Sequence, residues 1–222
     1  FEYLEECFIL AYHSGNPVLE SQIDLPDYVS KKRTYSGWVR EGLAQSLILI
    51  SIPQVGVSLR DAQSWVDRII GALLSNARGE MWISINRELP LIAEASPRVF
   101  LNSVSRSLSL PNPEVMDMFK EKPGLLNPVA SHTGLLWALE GLAWMPSYFK
   151  TACFLLHKLA TLDPGGSVSN RSLRSVSNRP LNSLTEIFKA WHYQTLASYT
   201  ERVEVLKDML PRNVDVSWKL LT

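Results

Sequence analysis

Two stretches of the chain repeat one layout: an apolar helical run, a proline, and a second apolar helix that ends in Leu-Leu nine residues beyond that proline. In the first, Leu139, Leu142 and Ala143 lead to Pro146 and then to Ala152, Leu155 and Leu156; in the second, Val203, Leu206 and Leu210 lead to Pro211 and then to Trp218, Leu220 and Leu221. A helix with one apolar face must bury it, and a short hairpin cannot do so within itself, so such units stack on their neighbours. The expectation is an all-α chain of stacked helical hairpins, either α-solenoid-like or a helical-repeat bundle. Architectures of this kind present extended surfaces to partners, which makes binding the leading functional class.

The rest of the chain also carries helical spacing. A first helix fits Glu2 to His13 and stops at Ser14-Gly15, where glycine accepts the left-handed conformation that ends helices. Residues 15 to 35 have no stripe and read as loop. Trp38, Gly42, Leu43 and Leu47 fall at helical spacing, which favours a helix to Ile52 over the strand that Leu47 to Ile52 alone would suggest. Ser58 followed by Asp61 resembles a cap, and behind it Ala62, Trp65, Val66, Ile69, Ile70, Leu73 and Leu74 share one face. Shorter helices fit Glu80 to Glu88 and Pro90 to Glu94. Ser96-Pro97 and Asn112-Pro113 each place a cap residue before a proline suited to the first helical turn. The stripes behind them are Phe100, Leu101, Val104 and Leu108, then Val115, Met116 and Phe119. Residues 121 to 131 are rich in Pro, Gly and Asn. They divide the chain into an N-terminal helical sub-bundle (1–120), a linker (121–131), and helical-hairpin repeats (132–222) interrupted by a polar loop at 163–182. Trp65, Leu142, Leu155 and Leu206 are expected at buried contacts between helices. A chain that opens and closes inside helices reads as a piece of a longer protein.

Lys plus Arg balances Asp plus Glu at 22 each, which argues against a nucleic-acid binder that depends on a large basic surface. Cys7 and Cys153 lie in apolar helical runs and read as buried free thiols of a reducing, cytoplasmic compartment. No run of about 18 uninterrupted apolar residues occurs, so no membrane span is expected.

The chemistry-bearing motifs are mostly negative. No glycine is followed by lysine, so the phosphate-cradling Gly-x-x-x-x-Gly-Lys-Ser/Thr loop is excluded from this segment. Neither a Gly-x-Ser-x-Gly elbow, nor His-Glu-x-x-His, nor paired Cys-x-x-Cys motifs occur. No catalytic residue, cofactor or metal is therefore assigned. His132 reads as part of a polar helix start at Ser131-His132-Thr133, and His157, between Leu156 and Leu159, as a core-edge residue. Two places are candidates for binding. One is a tandem block, Ser167 to Leu173 and Ser175 to Leu181, in which Ser-Val-Ser-Asn-Arg recurs eight residues on. It reads either as a solvated loop enlarged by duplication or as a ligand loop whose Arg171, Arg174 and Arg179 meet an anionic surface. The other is the polar-aromatic cluster Trp191-His192-Tyr193-Gln194-Thr195, read either as a turn whose Trp191 covers the core while His192 and Gln194 bond loose backbone groups, or as a binding element. A tryptophan at helical spacing is usually core, and only a surface cluster of them marks a hot spot.

The run from Ser131 to Trp144 (Ser-His-Thr-Gly-Leu-Leu-Trp-Ala-Leu-Glu-Gly-Leu-Ala-Trp), the stretch Leu155 to Gly166, Asn178 to Phe188 and the Trp191-His192 turn together resemble a segment of very large bacterial proteins, the STAND-type NTPases. These are signalling ATPases with helical repeats that act in antiviral defence. The resemblance spans roughly residues 95 to 222 and lies in helical and turn motifs, none of them catalytic. Tyr193 stands where the pattern has proline, and the doubled Ser-Val-Ser-Asn-Arg block is an insertion. What the resemblance implies is a non-catalytic segment between or beyond the ATPase core and the sensor, one that contacts a protein partner or other domains of its own chain and takes part in oligomerisation of the full-length protein. A stand-alone helical adaptor and an all-helical enzyme using His192, Arg179 and nearby carboxylates are the competing classes.

Overall fold

The apolar stripes become helices that pack around one buried helix near the middle of the chain. A computed structural model describes residues 2–13, 35–52, 61–75, 77–120, 131–164, 178–191 and 193–221. The order is α1 (Glu2–His13), α2 (Gly37–Ser51), α3 (Ala62–Ser75), α4 (Gly79–Ser84), a 3-10 turn (Asn86–Glu88), α5 (Leu89–Ala95), α6 (Pro97–Leu108), a second 3-10 turn (Glu114–Phe119), α7 (Thr133–Trp144), α8 (Pro146–Leu162), α9 (Pro180–Phe188), α10 (Tyr199–Met209) and α11 (Val214–Leu221). Among the described residues there is no strand, so the fold is all-α. The helix at Leu47 to Ile52 is real, running from Gly37 to Ser51 with Ser36 as its cap. Ser14, Gly15 and Ser58, the linker residues 121–130, and most of the polar loop, 165–177, lie outside the described residues.

Helix α7 is the hub. It packs on α5, α8, α9 and the first 3-10 turn, and buries Leu135, Leu136, Ala138, Leu139, Leu142 and Ala143. The turn into α8 is tight because Pro146 takes the first position of α8, where its missing N–H is no loss. Helix α8 then buries Phe149, Ala152, Cys153, Leu155, Leu156 and Leu159 against α7, α9 and α6. One apolar cluster runs without a break from Phe8 on α1 to Met209 on α10, so the packed core crosses both sides of segment 121–130.

The edge helices differ from their sequence pattern. On α10 the fully buried residues are Val205 and Met209, whereas Val203, Leu206 and Leu210 are half-buried. On α11, Val216 and Ser217 face inward and Trp218 is 61% exposed. Their main contacts are with α8, α9 and each other, so each buries one narrow line of its surface. Trp65 is likewise half-buried, its indole N–H donating to Glu5 at 3.2 Å. Cys153 is buried and Cys7 only half-buried; both are free.

Two helix starts are capped from far away in sequence. The α7 start is not capped by Ser131 or His132; the Gly134 N–H donates to the Asn86 side-chain oxygen at 2.8 Å. A Cβ on Gly134 would stand 1.8 Å from the Asn86 carbonyl oxygen, a backbone atom, so only glycine allows this approach. At α4, the Gly79 N–H donates to the Glu114 carboxylate at 2.9 Å. Ser96 does not cap α6 either, and gives its hydroxyl to Asp67 instead. Orphan helix amides need partners, and in a packed bundle the partner is whichever side chain the fold brings past.

Several polar side chains are deeply buried among the described residues. Arg40 and Glu88, each 3% exposed, form an ion pair at 3.3 Å between α2 and the first 3-10 turn, with Tyr12 packed under the guanidinium and donating to the Arg40 carbonyl at 2.9 Å. Removing one partner of such a pair leaves an uncompensated buried charge, typically costing about 3–5 kcal/mol. His132 stacks on Phe119 with ring centroids 4.5 Å apart, and its Nε2 meets the Asn178 carbonyl at 2.6 Å. His157 joins α8 to α11 through the Ser217 hydroxyl at 3.0 Å.

Alanine at Leu142 or Leu155 removes buried methyls from the hub and its partner helix. A loss of about 2–5 kcal/mol on urea unfolding is expected for each; a midpoint unchanged from the parent would show these faces do not pack as described. The histidines supply a pH test. Burial, the largest cause, pushes both His132 and His157 below their ordinary value of 6.5, so folding favours the neutral rings. Their contribution is complete above about pH 6.5 and is lost as pH falls below it, because the unfolded chain then binds more protons. The urea midpoint should drop between pH 7.5 and 5, and less steeply in His157→Gln. Glu140, whose burial raises its carboxyl, acts with the opposite sign nearer the carboxylate range, so the comparison with that variant is the deciding one. Equal slopes would exclude His157.

Candidate functional site

Only one line of α7 reaches solvent. Its residues are Trp137, Gly141 and Trp144, spaced four and three apart, with half-buried Glu140 beside them. Two helical turns, about 10 Å, separate the two indoles. A Cβ at Gly141 would meet nothing within 4 Å, so the surface between them is open. Glu140 turns toward α9, where burial, the largest cause, raises its carboxyl and the charge of Glu186 raises it further.

The chain beyond α9 is laid across the end of α7. The Thr195 hydroxyl donates to the Ala143 carbonyl at 2.7 Å, and the Leu196 N–H donates to the Trp144 carbonyl at 2.9 Å. Those carbonyls belong to the last turn of α7 and have no partner inside the helix. Thr195 and Ala197 are buried by this arrangement, which turns Leu196 outward beside Trp144 and exposed Met145. Helix α10 then starts on a capping box: the Glu201 amide meets the Ser198 hydroxyl at 3.2 Å, and the Glu201 carboxylate takes the Ser198 amide at 2.7 Å. These bonds, the hydroxyl first, hold the Glu201 carboxyl below its ordinary value. The start of α10 brings Arg202 over two exposed rings, its Cζ lying 3.9 Å from the Tyr193 centroid and 6.0 Å from that of Tyr199. Trp144, Met145, Leu196, Tyr193, Tyr199 and Arg202 thus form one surface, continued along α7 by Trp137.

The residues singled out from sequence fall in different places. Trp191 does not cover the core; it is 84% exposed, two residues from Tyr193 at the rim of the aromatic surface. Thr195 and Leu196 bond the loose backbone carbonyls at the end of α7. Arg171, Arg174 and His192 lie outside the described residues. Arg179 precedes the first turn of α9 and pairs with buried Asp163 at 2.9 Å, only 11% of its side chain reaching solvent. That pair, with His132 on the Asn178 carbonyl, ties together the two ends of segment 164–178. Arg179 and Trp191 stand beyond opposite ends of the nine-residue α9, a helix about 13 Å long. Sequence reasoning did not find Tyr199 and Arg202. Their three-residue spacing on one helix face was the available signal.

Among the described residues no group of three His, Cys, Asp or Glu side chains is placed to hold a metal ion, and no helix is long and apolar enough to cross a membrane. No protein-family model matches the chain, and neither a curated protein nor a solved structure is similar to it at a significant level. The aromatic surface thus stands on its own geometry.

Because these side chains are exposed, they are expected to contribute little to folding. Trp137→Ala and Tyr199→Ala should each shift stability by less than about 1 kcal/mol, as is usual for surface positions outside buried networks. A loss of several kcal/mol in thermal or urea unfolding would place them in the core.

Proposed function

We propose that this chain is a non-catalytic interaction segment, its helical hairpins stacked as a repeat, and that it binds a protein partner or another domain of its own chain through the surface built on Trp137, Trp144, Leu196 and Tyr199. The observation that carries this reading is the exposure of five of the seven tryptophans, namely Trp38, Trp137, Trp144, Trp191 and Trp218. Contiguous exposed aromatic surface marks interaction sites, and Trp, Tyr and Arg are the residues most enriched where partners bind tightly. Two of these tryptophans share one edge of the hub helix with two tyrosines and an arginine around its C-terminal end. The rigid aromatic side chains lose little conformational entropy on being covered.

The resemblance to STAND-type NTPases implies such a segment in a large signalling ATPase of antiviral defence, outside its nucleotide site. The sequence fits that placement, since it lacks the glycine-lysine phosphate loop. Two free cysteines fit the cytoplasm.

The reading is tested by photo-crosslinking in cells of the source organism, with p-benzoylphenylalanine placed singly at Trp137 and Leu196, and, as controls on exposed α8 positions, at Thr151 and Lys158. A discrete protein adduct, or a discrete internal crosslink, should form from positions 137 and 196 and not from 151 and 158. Equal adducts at all four positions, or none at any, would contradict it.

A further inference from the structure

The aromatic surface has one charged group whose charge the described residues leave uncompensated. Arg202 is half-buried, it pairs with no carboxylate among the described residues, and its Nε is buried without a hydrogen-bond acceptor. Neighbouring charges are occupied. The Glu201 carboxylate is taken up by the Ser198 amide and hydroxyl, each at 2.7 Å. Lys150 pairs with Asp208 at 2.8 Å. Arg212 bonds the Asp208 carbonyl at 3.2 Å and lies over Phe154. The Arg202 guanidinium lies over Tyr193 and within cation–π reach of Tyr199, and a fork held in place loses less freedom on binding than a mobile one. Tyrosine faces stabilise the cation without neutralising it. The result is a positive group over Tyr193 and Tyr199, the two rings that flank Leu196 in the chain at the end of α7.

We propose that Arg202, held by Tyr193 and Tyr199, is the anion-binding end of the aromatic surface and receives an Asp or Glu carboxylate of an acidic, leucine-bearing segment of the partner protein. This rests on the reading of the aromatic face as an interaction surface. The carboxylate pairs with the guanidinium through parallel N–H···O bonds, while apolar residues of the segment cover Leu196 and Trp144. A single arginine matches a monoanion; recognition of phosphorylated segments uses clusters of arginines, and Arg212 and Lys150 are engaged at Asp208, at the other end of α10. The charge arrangement therefore selects a carboxylate over a phosphate.

The experiment uses the whole chain, labelled with nitrogen-15, and follows the Arg202 Nε–H and the indole N–H signals while three peptides are added: acetyl-Leu-Glu-Leu-Glu-Leu-amide and its counterparts with Gln or Lys in place of Glu. The Glu peptide should bind at least tenfold more tightly than the Gln peptide, with the Lys peptide weakest. Arg202→Gln should make the Glu and Gln peptides equal. Arg202→Lys, which keeps the apolar stem and the charge but not the fork, should lose several-fold in affinity for the Glu peptide while its circular dichroism stays that of the parent. Equal binding of the Glu and Gln peptides, lost on Leu196→Ser, would overturn the acidic partner and leave the interaction surface standing. Tighter binding of the Lys peptide would overturn it likewise, as would inorganic phosphate moving the Arg202 signal in preference to acetate. Absence of any shift with all three peptides at millimolar concentration would count against both the anion site and the surface.

Discussion

A buried helix cannot send its end groups to water, and α7 is buried except along the line of Trp137, Gly141 and Trp144. Its sequence, Thr133 to Trp144, contains two polar side chains, Thr133 and Glu140. Packing it among α5, α8 and α9 therefore obliges the fold to supply hydrogen-bond partners at both ends. At the start Asn86 comes from 48 residues upstream, and at the finish Thr195 and Leu196 come from about 50 residues downstream. The second of these solutions shapes the surface. To reach the Ala143 and Trp144 carbonyls, residues 193 to 198 must cross the end of α7, and that crossing turns Leu196 and Tyr193 outward beside Trp144.

The same constraint accounts for two sequence features that have no local explanation. Gly134 lies in the first turn of a helix, where glycine is a poor helix former. It is required because the Asn86 backbone comes closer than any Cβ would permit. Gly79 holds the matching place at the start of α4, where a Cβ would stand 1.8 Å from the Asp117 carboxylate and the amide is taken by Glu114. Both glycines mark places where one element is pinned onto another.

What could be read from the sequence follows the range of the interaction. Stripes such as Val66, Ile69, Ile70 and Leu73, or Phe100, Leu101, Val104 and Leu108, are local, depend on spacing alone, and are buried as the spacing implies. The Pro146 turn and the Ser198 start of α10 are equally local. The caps at Gly134 and Gly79, the buried Arg40 and Glu88 pair, and His132 against Phe119 join residues far apart in the chain, and no spacing rule reports them. The α10 line was misjudged for a related reason: an edge helix buries only what its neighbours cover, and Leu206 looks the same in sequence whether or not a neighbour is there. At the candidate site, Trp191 drew attention as part of a dense aromatic cluster. Its exposure, and the joining of that cluster to Trp144 and Arg202, depend on the crossing at the end of α7.

Native-state hydrogen exchange on the α7 amides tests this account most directly. If α7 is the hub whose ends are held by Asn86 and by Thr195 and Leu196, then the amides from Leu139 to Ala143 should exchange only through global unfolding, with a free energy equal to that from urea denaturation, while edge helices α10 and α11 open at lower cost. Exchange of the α7 amides at the same rate as those of α10 and α11, well below the global value, would contradict it.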